Sequence, residues 1–208
     1  MIEEFKMSSK IILASTSNYR KELLQRICRS FTTSKPNVNE EKLKFDLLAD
    51  LKNPIEIAAE LALAKALSIK TEDHNTTIIA GDQLVSFNRQ ILGKPGSKEQ
   101  AIKQLQQMSD QTHELITSVV VIHQNNQSKI IKKINHISKL KFKKLSDPEI
   151  IRYVDLDKPF DCSGSYKIEA HGIGLFSEIQ TDDFTAIQGL PLIWLSHQLK
   201  EFGHDLFS

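Results

Sequence analysis

"IILASTSNYRKELLQRI", residues 11–27, reads as a strand that passes directly into a helix. Ile11–Ala14 has the length and apolarity of a short buried strand. From Tyr19 to Ile27 the apolar residues Leu23, Leu24 and Ile27 fall at helical spacing. Between them lie Ser15, Thr16 and Ser17, with Ser17 placed to cap the helix. An abrupt handover of this kind is the building step of an α/β fold. It also makes an anion site, because a helix N-terminus exposes free N–H groups at the positive end of its dipole. Ser15 and Ser17 add hydroxyls, and Arg20 adds a fork matched to phosphate oxygens. Plain N-capping by Ser17, with the rest incidental, explains the same residues equally well.

Working outward, "NVNEEK" (37–42) reads as a polar loop. Asn53, Pro54 and Glu56 spell a capping box with proline at the first helical position. The helix that follows carries Ile57, Leu61, Ala64 and Ser68 on one stripe, with Lys65 beside it. "TTIIAGDQLVSF" and "QILGKP" read as two strands joined by a turn at Asn88 and Arg89. Ser97 and Gln100 announce another helix, bearing Ala101, Leu105 and Met108. "ELITSVVVIH" and "IIKKINHISKLKFKKL" form a long hairpin across "QNNQ". Asp147 is expected to cap a helix running to Val154, and glycine-punctuated strands are expected through "GSYKIEAHGIGLF" (164–176). A last helix runs from Pro191 to about Gly203. Hairpins mixed with strand-to-helix units imply a mixed, partly antiparallel twisted sheet flanked by helices.

Composition narrows the classes of function. The chain has 208 residues, 40% hydrophobic and 25% charged, with a formal net charge of +1, and gives no electrostatic reason for a nucleic acid polymer or an acidic membrane. "MIEEFKMSSK" has no apolar core, so no secretory leader is expected. Cys28 and Cys162 are too few for a disulfide framework and fit reduced thiols in a cytoplasmic protein. Walker A, GxSxG and HExxH patterns are absent. The lysines from Lys129 to Lys144 alternate with apolar residues and read as a solvated sheet face.

Two further segments carry chemistry. Asp82 ends an apolar run, where aspartate is disfavoured unless exposed or paired, and Lys94 lies across the hairpin from it. Glu40 and Glu41 offer oxygen ligands to a Mg²⁺-like cation, which takes few carboxylates and completes its shell with substrate phosphates. Solvated loop charges are the alternative for both. Lys167 and Glu169, two apart, share a side if they stand on a strand, and a surface ion pair is the alternative there.

Taken in order, LAS-T-S-x-x-R (13–20), E-x-x-x-x-L-A-x-x-K-A (56–66), G-D-Q (81–83), L-G-K-P (92–95), "CSGSYKIEAHGIGLF" (162–176) and "GLPLIWLSHQL" (189–199) resemble the Maf family of nucleoside triphosphate pyrophosphatases. They cover nearly the whole chain and look most like its 7-methyl-GTP branch. The resemblance implies one Maf-like domain over residues 1–208, with two lobes about a central cleft as in Maf and Ham1 folds. It implies Asp82 as the catalytic carboxylate, acting as base, metal ligand or both. It implies Tyr19, Gln83 and Glu169 as specificity positions, and for such a substrate the chemistry of Ser15, Ser17, Arg20, Lys65, Lys94 and Lys167 suits them as phosphate contacts. A divalent cation, Mg²⁺ or Mn²⁺, on Glu40 and Asp82 follows, as does a homodimer. The alternatives are a dTTP/UTP pyrophosphatase of the same family and a non-catalytic nucleotide-binding regulator of septation. The chain departs from the branch's usual pattern at Tyr19 (tryptophan), Asn39 (aspartate) and Gly81 (serine).

Overall fold

The computed structural model describes residues 9–207. The N-terminal stretch read for a leader therefore lies mostly outside the described residues. In chain order the elements are β1 (Lys10–Ala14), α1 (Asn18–Gln25), β2 (Thr32–Ser34), α2 (Glu40–Ala49), α3 (Pro54–Leu67), β3 (Thr76–Phe87) and β4 (Gln90–Leu92). There follow α4 (Lys98–Met108), β5 (Thr112–Gln124), β6 (Lys129–Phe142), α5 (Asp147–Asp157), β7 (Phe176–Gln180), α6 (Phe184–Ile187) and α7 (Leu192–Glu201). Seven strands form one sheet in the order β2-β1-β3-β5-β6-β7, with β4 also on β3. β1 pairs in parallel with β2 and β3, and the other pairings are antiparallel. The mixed α/β sheet expected from the sequence is the one observed.

Local chemistry explains most boundaries. Ser17 caps α1 by accepting from Arg20 N, and Asn53 and Glu56 complete the capping box of α3. Asn88 and Arg89 both take positive φ, 50° and 64°, the conformation a two-residue hairpin turn requires. Leu105, Met108, Tyr153 and Val154 of α4 and α5 pack on Phe142 and Phe176 in one core cluster. Leu23, Leu24, Leu195 and Leu199 of α1 and α7 cover Leu13, Ile79 and Val121 in another.

Four expectations need correction. "NVNEEK" is not all loop, because Asn39 accepts from Lys42 N and caps α2. That helix buries none of its residues, so it lacks the apolar stripe by which a helix is read. α5 is capped by Ser146, one residue before Asp147, and runs on to Asp157. The buried stripe of α3 is Ile57, Ala58, Leu61, Ala62, Lys65 and Ala66, and Ala64 and Ser68 are only half-buried. Finally, "GSYKIEAHGIGL" is two 3₁₀ turns, Ser163–Ser165 and His171–Leu175, with irregular chain between, and the strand begins only at Phe176. Lys167 and Glu169 therefore do not share a strand face. Close packing decides this: a Cβ on Gly172 would lie 2.4 Å from the Lys167 carbonyl oxygen.

The lysine-rich β6 alternates as expected over Ser138–Phe142. Nearer its start it leaves Ile130, Ile131 and Ile137 exposed among the lysines. No helix among the described residues is long and apolar enough to cross a membrane.

Candidate active site

Three neighbouring strands break their apolar runs at one register. Asp82 and Gln83 of β3 face Ser118 and Thr117 of β5, which face Asn135 and His136 of β6. Alternation sends Asp82 to the α3 face and Gln83 to the face covered by α1 and α7. On each face the polar row separates two apolar clusters. Ile78 and Ala80 lie to one side of Asp82, with Leu84 and Ile116 to the other. Ile79 and Val119 lie to one side of Gln83, with Val85 and Leu115 to the other.

Both residues reach one cleft because the edge of β3 is bare there. β1 pairs with Thr76–Ile79 and β4 with Val85–Phe87, so residues 80–84 have no strand beside them on that edge. The cleft that opens has a volume of about 1230 Å³. Its lining includes Ser15, Ser17, Tyr19, Arg20, Glu40, Lys65, Asp82, Gln83, Lys94 and Glu169.

At the Asp82 end, Lys65 Nζ lies 2.7 Å from Asp82 Oδ1 and 2.8 Å from Glu40 Oε2. Lys65 and Asp82 are both buried, whereas the Glu40 side chain is half-exposed. The carboxylates come from β3 and the first turn of α2, and the ammonium from the inner face of α3. Two hard oxygen donors thus converge on one cation, the donor type that Mg²⁺ or Mn²⁺ prefers. Among the described residues no cluster of three or more His, Cys, Asp or Glu side chains is assembled for a metal. A cation held here by Glu40 and Asp82 would complete its shell with substrate oxygens and water.

The strand-to-helix turn forms the next wall. Ser15 Oγ accepts from Ser17 N at 3.1 Å, and Ser17 Oγ accepts from Arg20 N at 3.4 Å. Arg20 Nε donates to the Gly189 carbonyl at 3.2 Å. Gly189 has φ +122°, and a Cβ there would meet Arg20 Cγ at 3.3 Å, so this glycine leaves room for the arginine. Burial lowers the Arg20 pKa from its usual value, and Asp82 and Glu40 oppose that shift. The guanidinium stays charged.

Tyr19 and Glu169 meet at the other end. Tyr19 is 42% exposed, and its hydroxyl is pushed up to about 12 by partial burial and then by the nearby Glu169 carboxylate. The loop bearing Glu169 is anchored at both ends. Lys167 N donates to Tyr153 Oη at 2.9 Å, and His171 N donates to Asp157 Oδ2 at 3.1 Å.

Lys167 is not among the residues lining the cleft. Its Nζ lies 3.8 Å from Asp161 Oδ1, and Asp161 does line it. Lys94 lines the cleft and is exposed. The Cys162 thiol also lines it, with a pKa pushed up to about 12 by burial and Asp161, so it is no nucleophile. Sequence reasoning missed Thr117 and the contribution of α2 through Lys44. The aligned polar interruptions "GDQ", "TS" and "NH" in three successive strands are the signal that finds Thr117.

The family model described as Maf-like protein matches residues 10–202. The chain is similar to a protein named 7-methyl-GTP pyrophosphatase from Bdellovibrio bacteriovorus, 48% identical over 92% of this chain and 96% of the relative. Proteins of the same name from Aromatoleum aromaticum and Hydrogenovibrio crunogenus are 41% and 38% identical, over 94% and 92% of the chain and 96% and 92% of their own lengths.

Proposed function

The chain belongs to the Maf family, and from that premise we propose that it hydrolyses a nucleoside triphosphate between the α- and β-phosphates. The products are the monophosphate and pyrophosphate, and 7-methyl-GTP is the preferred substrate. The observation that carries this reading is the arrangement of one cleft. A buried carboxylate beside a shared ammonium stands near a cationic helix N-terminus, and an aromatic residue and a second carboxylate line the same cleft.

Arg20, Lys65 and Lys94, with the N–H groups after Ser17, hold the triphosphate. Phosphoryl-type reactions depend chiefly on such positioning and charge compensation. Glu40 and Asp82 would hold a divalent cation, whose chemistry is to acidify bound water and to offset phosphate charge. Asp82 orients the attacking water and takes its proton. An isolated aspartate, with a pKa near 3.9, is a weak base, so this proton transfer would need a water more acidic than bulk water. The water oxygen bonds to the α-phosphorus as the bond from that phosphorus to the α,β-bridging oxygen breaks, and pyrophosphate leaves with that oxygen.

Specificity follows from charge. Methylation at N7 makes guanine cationic, and an aromatic face attracts such a ring by about 0.5–2 kcal/mol. Tyr19 lines the cleft and is exposed, so its ring is open to stacking. Glu169 accepts from the N1–H and N2 amine edge, which a pyrimidine lacks. A panel of 7-methyl-GTP, GTP, dTTP and UTP, assayed for pyrophosphate release with Mg²⁺ or Mn²⁺ and with chelator, tests the reading. The highest kcat/KM is expected on 7-methyl-GTP, and faster turnover of dTTP or UTP would assign the other branch.

A further inference from the structure

Gln83 is held on three sides before any substrate arrives. Its Nε2 lies 2.9 Å from Thr117 Oγ1, 3.1 Å from the Ala186 carbonyl oxygen and 3.0 Å from that of Ile187. Carbonyls only accept, so the nitrogen end of the amide, and not the oxygen, faces them. Thr117 is buried at 1% exposure and donates its own hydrogen to the Ala186 carbonyl at 2.9 Å. Towards Gln83 it is therefore an acceptor as well. Two N–H hydrogens are shared among three acceptors, and none is left for a bound molecule. The amide oxygen lies on the opposite side of the same planar group, and no hydrogen bond among the described residues engages it. Gln83 lines the cleft.

We infer that Thr117 is a specificity-positioning residue: with the carbonyls of Ala186 and Ile187 it fixes Gln83 as an obligate acceptor whose Oε1 reads a hydrogen-bond donor on the nucleotide base. The inference rests on the nucleotide reading above and deepens it. A free glutamine amide can turn over and serve either a donor or an acceptor, and so selects weakly. A fixed one sets its lone pair against any base that presents an acceptor at that place. Guanine answers two acceptors, Glu169 and Gln83, with the N1–H and the two hydrogens of its N2 amine. Thr117 also joins Gln83 to the segment 184–190, which carries the Gly189 carbonyl that holds Arg20. Base selection and phosphate binding therefore share one support.

The test compares 7-methyl-GTP with its inosine counterpart, which lacks the N2 amine. Wild-type protein is expected to favour the guanine nucleotide in kcat/KM by about tenfold or more, the effect of one or two hydrogen bonds. Thr117→Val keeps the shape and removes the hydroxyl, and the preference should fall by about threefold to tenfold. Thr117→Ser, which keeps the hydroxyl, should restore it. A Thr117→Val protein with the wild-type preference overturns the inference. Should that variant fail to fold by circular dichroism, Gln83→Ala gives the same readout: an undiminished preference for the N2 amine overturns the inference, and a lost one supports it. If wild-type protein instead turns over pyrimidine nucleotides best, the 7-methyl-GTP reading fails. The inference is then decided by UTP against N3-methyl-UTP in the same variants, with the same expected loss.

Discussion

The Lys65 ammonium stands between Asp82 and Glu40, 2.7 Å from one carboxylate oxygen and 2.8 Å from the other. A buried carboxylate needs a partner, and removing one member of such a pair costs more than the pair itself contributes. Lys65→Met should therefore destabilise the protein by about 3 kcal/mol and lose most turnover. It also leaves the two carboxylates facing one another without a cation. Millimolar Mg²⁺ should then raise the melting temperature of the variant more than that of the wild type. Equal shifts in the two proteins would mean that Glu40 and Asp82 do not form a cation site.

Tyr19 and Glu169 line the same cleft, and the pair is proposed to select a cationic purine. Tyr19→Arg with Glu169→Gln replaces an aromatic and a carboxylate by groups that do not favour a positive ring. The ratio of kcat/KM for 7-methyl-GTP to that for UTP should fall by about tenfold or more, the size expected for losing a cation–π contact and a charged hydrogen bond. An unchanged ratio would take the pair out of substrate selection.

Gly172 lies where a Cβ would press on the backbone of Lys167, at 2.4 Å from its carbonyl oxygen. Gly172→Ala must displace the loop that carries Glu169. Overpacking of this kind costs about 1–3 kcal/mol, or a fall in melting temperature of roughly 2–4 °C for each kcal/mol. KM for 7-methyl-GTP should rise more than kcat falls, since the displaced group binds the base. A rise in kcat losses alone, with KM constant, would argue against that placement of Glu169.

Burial pushes His113 down to about 4, where it sits against Tyr166, Phe142 and Phe176, and it pushes His204 down to about 4 beside Thr77 and His123. In the unfolded chain both titrate near 6.5. Between these values the unfolded state binds more protons, so stability rises with pH. The contribution is complete above about pH 6.5 and is lost as pH falls towards 4. Urea denaturation at pH 7.5 and 4.5 should show a lower midpoint at the acid value, and His113→Phe should flatten the difference. An identical pH dependence in that variant would exclude His113 as a source.

Much of this was legible in the sequence because local rules and tertiary packing agree there. The caps at Ser17 and Asn53, the Asn88–Arg89 turn and the paired long strands all follow from side chains and patterns visible in a few residues. α2 was not legible, since a helix with no buried residue carries no periodic signal. Nor were the turns around Glu169, where "YKIEA" alternates like a strand while Tyr153, Asp157 and Gly172 bend the chain from a distance. Asp82, Arg20 and Lys65 stood out singly, but their convergence depends on α3 packing over β3 and on the bare edge that follows the end of β1. Lys167 shows the converse, a lysine placed by sequence among the phosphate contacts whose ammonium lies near Asp161, with the residue outside the cleft lining.

The most direct measurement follows the products of 7-methyl-GTP hydrolysis in wild-type and Asp82→Asn protein, both checked for intact fold by thermal unfolding. The account predicts 7-methyl-GMP and pyrophosphate in equal amounts from the wild type, and near-complete loss of both from a folded Asp82→Asn variant. Release of orthophosphate with 7-methyl-GDP, or an Asp82→Asn protein as active as the wild type, would contradict it.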